Sequence, residues 1–429
     1  MNARANNTID KVRELQRKLY LSAKSNKKRR FHALYDKVYR EDILHKAWLL
    51  VKENKGVAGI DNMFIEDIID YGENKFLKEL RAELIENKYK PLPVKRVYIP
   101  KKDGKKRPLG IPIIKDRIVQ MATKIVIEPI FEADFKECSF GFRPKRNALQ
   151  AIEKINQCCK SNGYKVLDAD IKSYFDNINH DKLMILIEQK ICDKRILKLI
   201  RKWLKTGIME RGVNIKSTLG SPQGGVISPL LSNIYLNYFD TIWKKYYSNI
   251  GTLVRYADDF VIISKNWTDV RIAKTIVNKI MNKLELTIHP EKTRFVDLWD
   301  GKEGFDFLGF HNKKIKQKTR DCRSVLVITN YPSSKSMKSM KEKIKQTLLK
   351  SSCNDNIENR IKILNRKLRG FKNYYGFQYA HKWLAKIDWY VTIRFNIWIN
   401  NKRRKRNKFS GIETTRQLID KLGIIRLAT

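Results

Sequence analysis

Apolar and polar positions along this chain repeat with two periods, and the period switches several times. In "EDILHKAWLLVKEN" (residues 41–54) the apolar residues recur at helical spacing. A Gly-containing loop, "NKGVAGIDN", follows, and then a second helical run that ends at Pro91. Residues 95–113 read as strand, turn and strand: "KRVYIP", "KKDGKK", "RPLGIP", with Asp103-Gly104 as the hairpin signal. A helix is predicted from a cap at Asp116 through "RIVQMATKIVIEPIF", stopping near Pro129. "YKVLDAD" alternates as a strand, with Val166, Asp168 and Asp170 on one face and Leu167, Ala169 and Ile171 on the other. "NHDKLMILIEQK" is helical, and "STLGSPQGGVISP" is a Gly/Pro loop. That loop feeds a helix with Ser228 as cap, Pro229 in its first turn, and Leu231, Ile234, Tyr235, Tyr238 and Ile242 as its buried stripe. "LVRYADDFVII" predicts a hairpin of two apolar strands with acids at its tip.

After about residue 320 strands are expected to give way to helices. Met337, Met340, Ile344 and Leu348 form one apolar stripe. Ile357, Ile361, Leu364, Leu368 and Phe371 form a second, and Leu384, Ile387, Val391, Phe395 and Trp398 a third. Three amphipathic helices in series imply a small bundle with Lys and Arg on its outer faces. "NKRRKRNK" (401–408) then opens a short basic tail.

Charge narrows the class of partner. Lys+Arg number 89 against Asp+Glu 45, a net charge of 89 − 45 = +44 over 429 residues. Solubility alone is met by a magnitude of roughly 2–8 in a small domain. A polyanion is the simplest partner, and nucleic acid is the commonest polyanion. The hydrophobic share of 42% is enough for real cores, and the length suggests two or three domains. The 6 Cys include no C-x-x-C pair, so neither a zinc site nor a disulfide framework is suggested, and a reducing cytosol fits. The first fifteen residues lack the apolar core of a signal peptide, and no apolar run approaches a membrane span.

Against that excess of cations, Asp258 and Asp259 stand side by side between two apolar strands. Two adjacent anions anchored to a core are costly unless a cation sits between them. Mg²⁺ suits an all-oxygen site. Asp170, on another strand, supplies a third carboxylate. Three carboxylates from two strands can hold two metals roughly 3.5–4 Å apart, activating a hydroxyl and stabilising a leaving phosphate oxygen.

The ordered motifs resemble those of group II intron-encoded reverse transcriptases, also called maturases. "RYADD" is similar to the family's metal-binding hairpin and "DADIKSYFDNINHDKL" to its first acidic motif. "SPQGGVISPLLSNIYLNYFD" resembles the loop and helix that contact template and nucleotide, and "IPKKDGKKRPLGIPIIKDRIVQ" the fingers strands that hold the triphosphate. "CSFGFRPKRNALQAI" resembles the following insertion, "HPEKT" and "FDFLGF" the later palm and primer-grip motifs, and "LRGFKNYYGF" the helical thumb. The resemblance runs over roughly residues 40–400 in the family's order.

It implies an α+β, right-hand polymerase. A basic N-terminal extension (1–40) precedes fingers and palm with antiparallel sheet and helices (41–320). An all-α thumb or maturase bundle (321–400) and a short basic DNA-binding-like tail (401–429) follow. Asp170, Asp258 and Asp259 are the implied catalytic ligands of two Mg²⁺ ions, with Ile171 counted in the metal site. Lys101 and Arg107 would contact the nucleotide triphosphate, and the cationic hairpin "KKDGKKR" agrees. Phe175 would be the steric gate against a ribose 2′-hydroxyl. Gln223 and Gly224 would line the nascent base pair, and Lys292 would assist proton transfer to pyrophosphate. Lys27, Lys28, Arg29 and Arg30 are candidate RNA contacts.

The implied partners are group II intron RNA, an RNA template with a DNA primer, deoxynucleoside triphosphates and target DNA, in the bacterial cytosol near the nucleoid and away from membranes. No Cys pairs or His cluster follow residue 381, so the zinc endonuclease that ends many relatives is not expected. Two other readings stay open: a stand-alone reverse transcriptase used in DNA repair or phage defence, and a maturase that only splices. The intact acids weigh against the second.

Overall fold

Helices dominate the first third of the chain: α1 (Asn2–Ser25), α2 (Tyr35–Val38), α3 (Glu41–Glu53), α4 (Ile65–Tyr71) and α5 (Glu73–Ile85). Then come β1 (Val94–Pro100), β2 (Lys106–Ile111), α6 (Ile114–Glu132), α7 (Ala148–Lys160), β3 (Lys165–Asp170), α8 (His180–Glu188) and α9 (Lys194–Lys205). The middle holds β4 (Ile208–Glu210), β5 (Val213–Ile215), α10 (Ser228–Ile242), β6 (Thr252–Tyr256), β7 (Asp259–Ser264) and α11 (Trp267–Lys283). Last are β8 (Arg294–Asp297), β9 (Gly304–Phe307), β10 (Phe310–Lys318), β11 (Ser324–Pro332), α12 (Ser334–Thr347), α13 (Ile357–Tyr375), α14 (His381–Lys402) and α15 (Ile412–Lys421). This computed structural model describes residues 2–100, 106–161, 163–210, 213–215, 220, 224–318, 324–377, 379–404 and 406–428. Helices combine with largely antiparallel sheets, the α+β class. No helix among the described residues is long and apolar enough to cross a membrane.

Two units partition the chain. One comprises Met1–Asn147, Ala169–Ile262 and Arg271–Thr293, and the other Ala148–Asp168, Ile263–Val270 and Arg294–Thr429. In the first, α6 is the hub. Its run of Ile114, Ile118, Val119, Ala122, Val126, Ile127 and Ile130 is buried on every side, as an all-round apolar helix must be. It packs against α1, α2, α3 and α10. β1 and β2 form the expected antiparallel hairpin, registered from Lys95↔Ile111 to Pro100↔Lys106. This hairpin sits in a sheet ordered β2-β1-β4-β5, and β4 joins β1 in parallel. Residues 101–105, Lys101 among them, lie outside the described residues.

Local signals misread three helix ends here. Asp116 is not a cap but a buried carboxyl in the first turn of α6. It accepts from the Tyr89 hydroxyl at 2.6 Å and the Leu92 N–H at 3.0 Å. Pro129 does not stop α6, which continues to Glu132. Proline's missing N–H frees the carbonyl of Ile125, and Gln16 of α1 donates to that oxygen at 3.2 Å. Ser228 is the first residue of α10 rather than its cap. The Gln120 side chain accepts from the N–H groups of Val226 and Ile227 just upstream, at 2.9 and 3.4 Å. The buried face of α10 is also wider than a stripe. It includes Ser232, Asn233 and Asp240, while Tyr238 and Ile242 are only half-buried.

In the second unit β3 pairs antiparallel with β8, and β10 lies between β9 and β11. The change from strands to helices falls at Ser333 rather than near residue 320, because "SVLVITNYP" completes a nine-residue ladder with β10. The three expected bundle helices are α12, α13 and α14, with Ile344, Leu364, Leu368, Ile387, Phe395 and Trp398 fully buried. The segment after residue 401 is folded. α15 packs on α14, Thr415 donates to Asn396 at 2.7 Å, and Asp388 accepts from the backbone of Leu427 and Ala428.

Burial pushes the Asp116 carboxyl up to about 6, against the downward pull of its bonds from Tyr89 and Leu92. The unfolded value is about 3.9. Between the two the folded chain keeps a proton that the unfolded chain has lost, so this contribution is full below about pH 4 and fades as pH rises to about 6. Wild type should therefore lose on the order of 2–3 kcal/mol relative to Asp116→Asn across that window. Urea midpoints of both proteins measured through the window check it, and a constant difference would contradict it.

Candidate active site and nucleic-acid interface

The hairpin tip is built on an arginine. Arg255, in β6, is fully buried, and its five N–H groups are all used. Nε and one Nη2 hydrogen pair with Asp240 of α10 at 2.8 and 2.5 Å. The second Nη2 hydrogen goes to the Ser139 hydroxyl at 2.8 Å. Nη1 donates to the carbonyl of Ala257 at 2.8 Å and to Asn233 at 3.4 Å. The Arg255 backbone bonds to Cys138 and Phe140, so "CSFGF" forms a seat beside β6. Ala257 takes a left-handed φ of 58° in the turn. Gly141 packs so closely that a Cβ there would lie 2.5 Å from the Ala257 nitrogen. The turn thus sits in a fixed place, and Asp258 and Asp259 follow it directly.

Asp170 ends β3, and β7 lies between β6 and that end. The Asp170 carbonyl accepts from His289 N–H at 2.8 Å, and Ile171 bridges to Ile288. This seats the "HPEKT" turn beside Asp170, and the Lys292 ammonium is hydrogen-bonded to the Asp170 carboxylate. That ion pair raises the Lys292 pKa, with Asp258 and Asp259 adding to the effect. Burial and the Asp170 charge raise the Asp258 pKa, while Arg107 and Lys292 pull it down. Asp170, Asp258, Asp259, Arg107 and Lys292 therefore share one electrostatic neighbourhood.

Among the described residues no three His, Cys, Asp or Glu stand close enough to hold one ion. The carboxylates instead face an ammonium, which balances part of their charge. An all-oxygen donor set already facing a cation has the chemistry a hard divalent ion needs. Ile171 has a hydrocarbon side chain, so only its backbone carbonyl has an oxygen to offer such a site.

Beyond β3 the chain turns through Ser173 at φ 46° into a short 3₁₀ turn, Tyr174–Asp176. Tyr174 is buried and donates to the Ser232 carbonyl at 2.7 Å. Its ring meets that of half-buried Phe175 edge-on at 5.3 Å. Gly224 has φ +114°, and a Cβ there would lie 2.7 Å from the Gly110 carbonyl oxygen on β2. Glycine at 224 is thus required by protein packing. Arg107 is exposed on β2, and Gln223 lies outside the described residues.

Two family models match this chain: "Reverse transcriptase (RNA-dependent DNA polymerase)" over residues 99–312, and "Group II intron, maturase-specific domain" over 337–414. Protein YkfC of Escherichia coli is 34% identical over 72% of this chain and 90% of its own length. The group II intron-encoded protein LtrA of Lactococcus lactis subsp. cremoris is 40% identical over 49% of this chain and 35% of its own. This chain belongs to the group II intron reverse transcriptase/maturase family. An uncharacterised 91 kDa protein in the cob intron of Schizosaccharomyces pombe is 35% identical over 47% of this chain and 25% of its own. The chain thus spans about a third or less of the lengths of these last two relatives. A Candida albicans telomerase structure in complex with a telomeric RNA fragment aligns at TM-score 0.41 and 16% identity over 78% of this chain and 62% of that one, too distant to bear on function.

The reverse transcriptase match takes in every acid of the site, and the maturase match takes in α13 and α14 whole. Sequence reasoning did not single out the groups that hold this family's hairpin here: Arg255, Asp240, Ser139 and Asn233. The one signal for them was a cation inside an apolar strand. It also passed over α9, "KRILKLIRKWLK", which Asp193 caps with bonds to the N–H groups of Arg195 and Ile196. Ile196, Leu199, Ile200 and Trp203 face inward. Lys194, Lys198, Arg201, Lys202 and Lys205, with Arg30 and Lys90, line a groove of about 970 Å³. Lys27 to Arg30 are exposed beside it on a pinned turn. Lys190 donates to the Lys27 carbonyl at 2.6 Å, Arg30 to that of Glu188 at 3.1 Å, and Phe31 bridges to Ile191.

Asp240→Ala leaves the Arg255 guanidinium buried without its counter-charge. The expected cost is about 3–5 kcal/mol, read as a lowered unfolding midpoint. Replacing the pair together, Asp240→Leu with Arg255→Met, should cost less. Equal losses would show that the pair is not coupled.

Proposed function

We propose that this chain is an RNA-directed DNA polymerase that binds a group II intron RNA, promotes its splicing, and copies it into DNA at insertion sites in the bacterial cytosol. The observation that carries this reading is the shared neighbourhood of Asp170, Asp258 and Asp259 around the Lys292 ammonium. In this proposal residues 41–320 form fingers and palm, 321–400 the thumb, and 1–40 and 401–429 basic flanks toward RNA and target DNA. Asp170, Asp258 and Asp259, with the Ile171 backbone, would hold two Mg²⁺ ions. Those ions would supply an activated primer hydroxyl and charge neutralisation at the leaving phosphate.

The chain's own groups divide the remaining work. Arg107 and Lys101 meet the triphosphate of the incoming deoxynucleotide. Phe175 stands where a 2′-hydroxyl would go, and Gln223 and Gly224 border the new base pair. Lys292, whose pKa the Asp170 carboxylate raises, holds a proton at Nζ that it would pass to pyrophosphate. The cationic turn at Lys27–Arg30 and the groove along α9 bind the phosphate backbone. Such contacts give affinity without selecting a sequence. Selection then falls to RNA shape and to unpaired bases stacking on aromatics. Tyr374 and Tyr375 are not free for that role. Both rings pack on Phe310, and their hydroxyls donate to the Leu308 carbonyl and Ser336.

Asp258→Ala or Asp259→Ala should lower primer extension by about a thousandfold, about 4 kcal/mol of barrier, with RNA affinity nearly unchanged. Near-normal extension by either variant would sink the assignment. Neutralising Lys27, Lys28, Arg29 and Arg30 should flatten the slope of log affinity against log salt by somewhat under one unit, about 0.7–0.9, for each RNA phosphate that the turn no longer neutralises. Filter binding across a salt series reads this, with extension on a pre-annealed primer as control. An unchanged slope removes the turn from the RNA surface, and equal loss in both assays points to a shared template role.

A further inference from the structure

The turn that carries Phe175 and the stretch leading to α10 meet at Gly220. Gly220 has φ +88°, and a Cβ there would lie 2.9 Å from the carbonyl oxygens of both Phe175 and Asp176. The contact is backbone against backbone, so any shift of Gly220 is felt by the turn. Both polar groups of the glycine are fastened. Its N–H donates to the Ile178 carbonyl at 2.9 Å. Its carbonyl accepts from Nε2 of His180 at 2.5 Å. A ring nitrogen facing a carbonyl oxygen must carry the proton, so His180 is the donor.

His180 is itself immobilised. It is 8% exposed and opens α8, just after Asn179. Asn179 accepts from Lys182 N–H at 3.0 Å and donates to Glu285 at 2.7 Å. The histidine bond stays outside its own helix and reaches 40 residues along the chain. Four residues on, Gly224 rests against the Gly110 carbonyl, and Gln120 takes the next two N–H groups at Val226 and Ile227. Gly220 on one side, and Gly224, Val226 and Ile227 on the other, are each tied to fixed elements. Of these side-chain ties, the His180 bond is the one that bears on the turn of Phe175.

We propose that His180 is a positioning residue for nucleotide and sugar selection. It holds the Gly220 carbonyl, which fixes the spacing between Gly220 and the backbone of the Phe175 turn. Without the donor, the buried Gly220 carbonyl loses its partner and Gly220 shifts to recover one. Phe175 then loses its backstop, and the space for a 2′-hydroxyl widens. This inference rests on the polymerase reading above.

The test compares His180→Gln with His180→Met, which are nearly isosteric and differ in the donor. Single-nucleotide addition to an RNA template annealed to a DNA primer is measured with deoxy- and ribonucleoside triphosphates. Unfolding midpoint and primer–template affinity are measured alongside. His180→Gln should stay within about twofold of wild type. His180→Met should raise KM for the deoxynucleotide and lower the deoxy-over-ribo preference, each by about tenfold, at near-normal template affinity. An unchanged preference in His180→Met overturns the proposal, and so does an equal loss in both variants. If His180→Met does not fold, His180→Phe fills the ring volume without a donor and is read against His180→Gln in the same way. A wild type that adds no nucleotide contradicts the polymerase reading itself. That result is distinct from an active wild type in which the His180 donor is indifferent.

Discussion

The buried pair of Arg255 and Asp240 is the constraint on which the hairpin carrying Asp258 and Asp259 depends. Stripping water from both charges costs several kcal/mol per ion, and the attraction repays that only when every remaining donor is satisfied. Arg255 meets the condition with all five N–H groups. The pair therefore contributes little net stability while fixing geometry closely. One of its bonds lands on the Ala257 carbonyl, inside the turn that carries the acids. Another lands on Ser139, which brings in the "CSFGF" segment, where Gly141 leaves room for the Ala257 backbone. A helix, a strand and an insertion more than a hundred residues upstream thus converge on two carboxylates.

Charge at the centre follows from that placement. Burial and the neighbouring Asp170 both disfavour an ionised Asp258. The Lys292 ammonium and the Arg107 guanidinium offset this. Lys292 comes from a turn stitched to the end of β3 by the Asp170 carbonyl and the Ile171 bridge, so its reach to the carboxylate is set by backbone pairing. The site is arranged to hold its anions near a cation.

Local periodicity made α3, α8, α10 and the three bundle helices legible, because each buries one face and writes that face into the chain. The hairpins at β1–β2 and β6–β7 were legible for the same reason at period two. What failed was everything settled by a distant partner. Asp116 looked like a cap because an acid precedes an apolar run, but a tyrosine hydroxyl 27 residues upstream had already claimed it. Pro129 looked like a stop until Gln16, 109 residues away from the carbonyl it freed, took that oxygen. Ser228 proved to be the first residue of α10, while Gln120 holds the N–H groups of Val226 and Ile227 just before it. α9 and β11 failed differently: the apolar spacing of "KRILKLIRKWLK" and the β-branched run of "SVLVITNYP" were both plain in the sequence. The motifs pointed to Asp170, Asp258 and Asp259 as candidate acids. The scaffold of Arg255, Asp240, Ser139 and Asn233 could not be read that way, since no single stretch contains it.

Asp170, Asp258 and Asp259 are proposed to form a cation site now faced by Lys292. The most direct measurement is anomalous scattering from crystals of the protein soaked in Mn²⁺. The account predicts a manganese peak against the Asp170 and Asp258 carboxylates, with the Lys292 ammonium moved off Asp170. Manganese bound only elsewhere, with the Lys292–Asp170 pair intact at saturating metal, would contradict it.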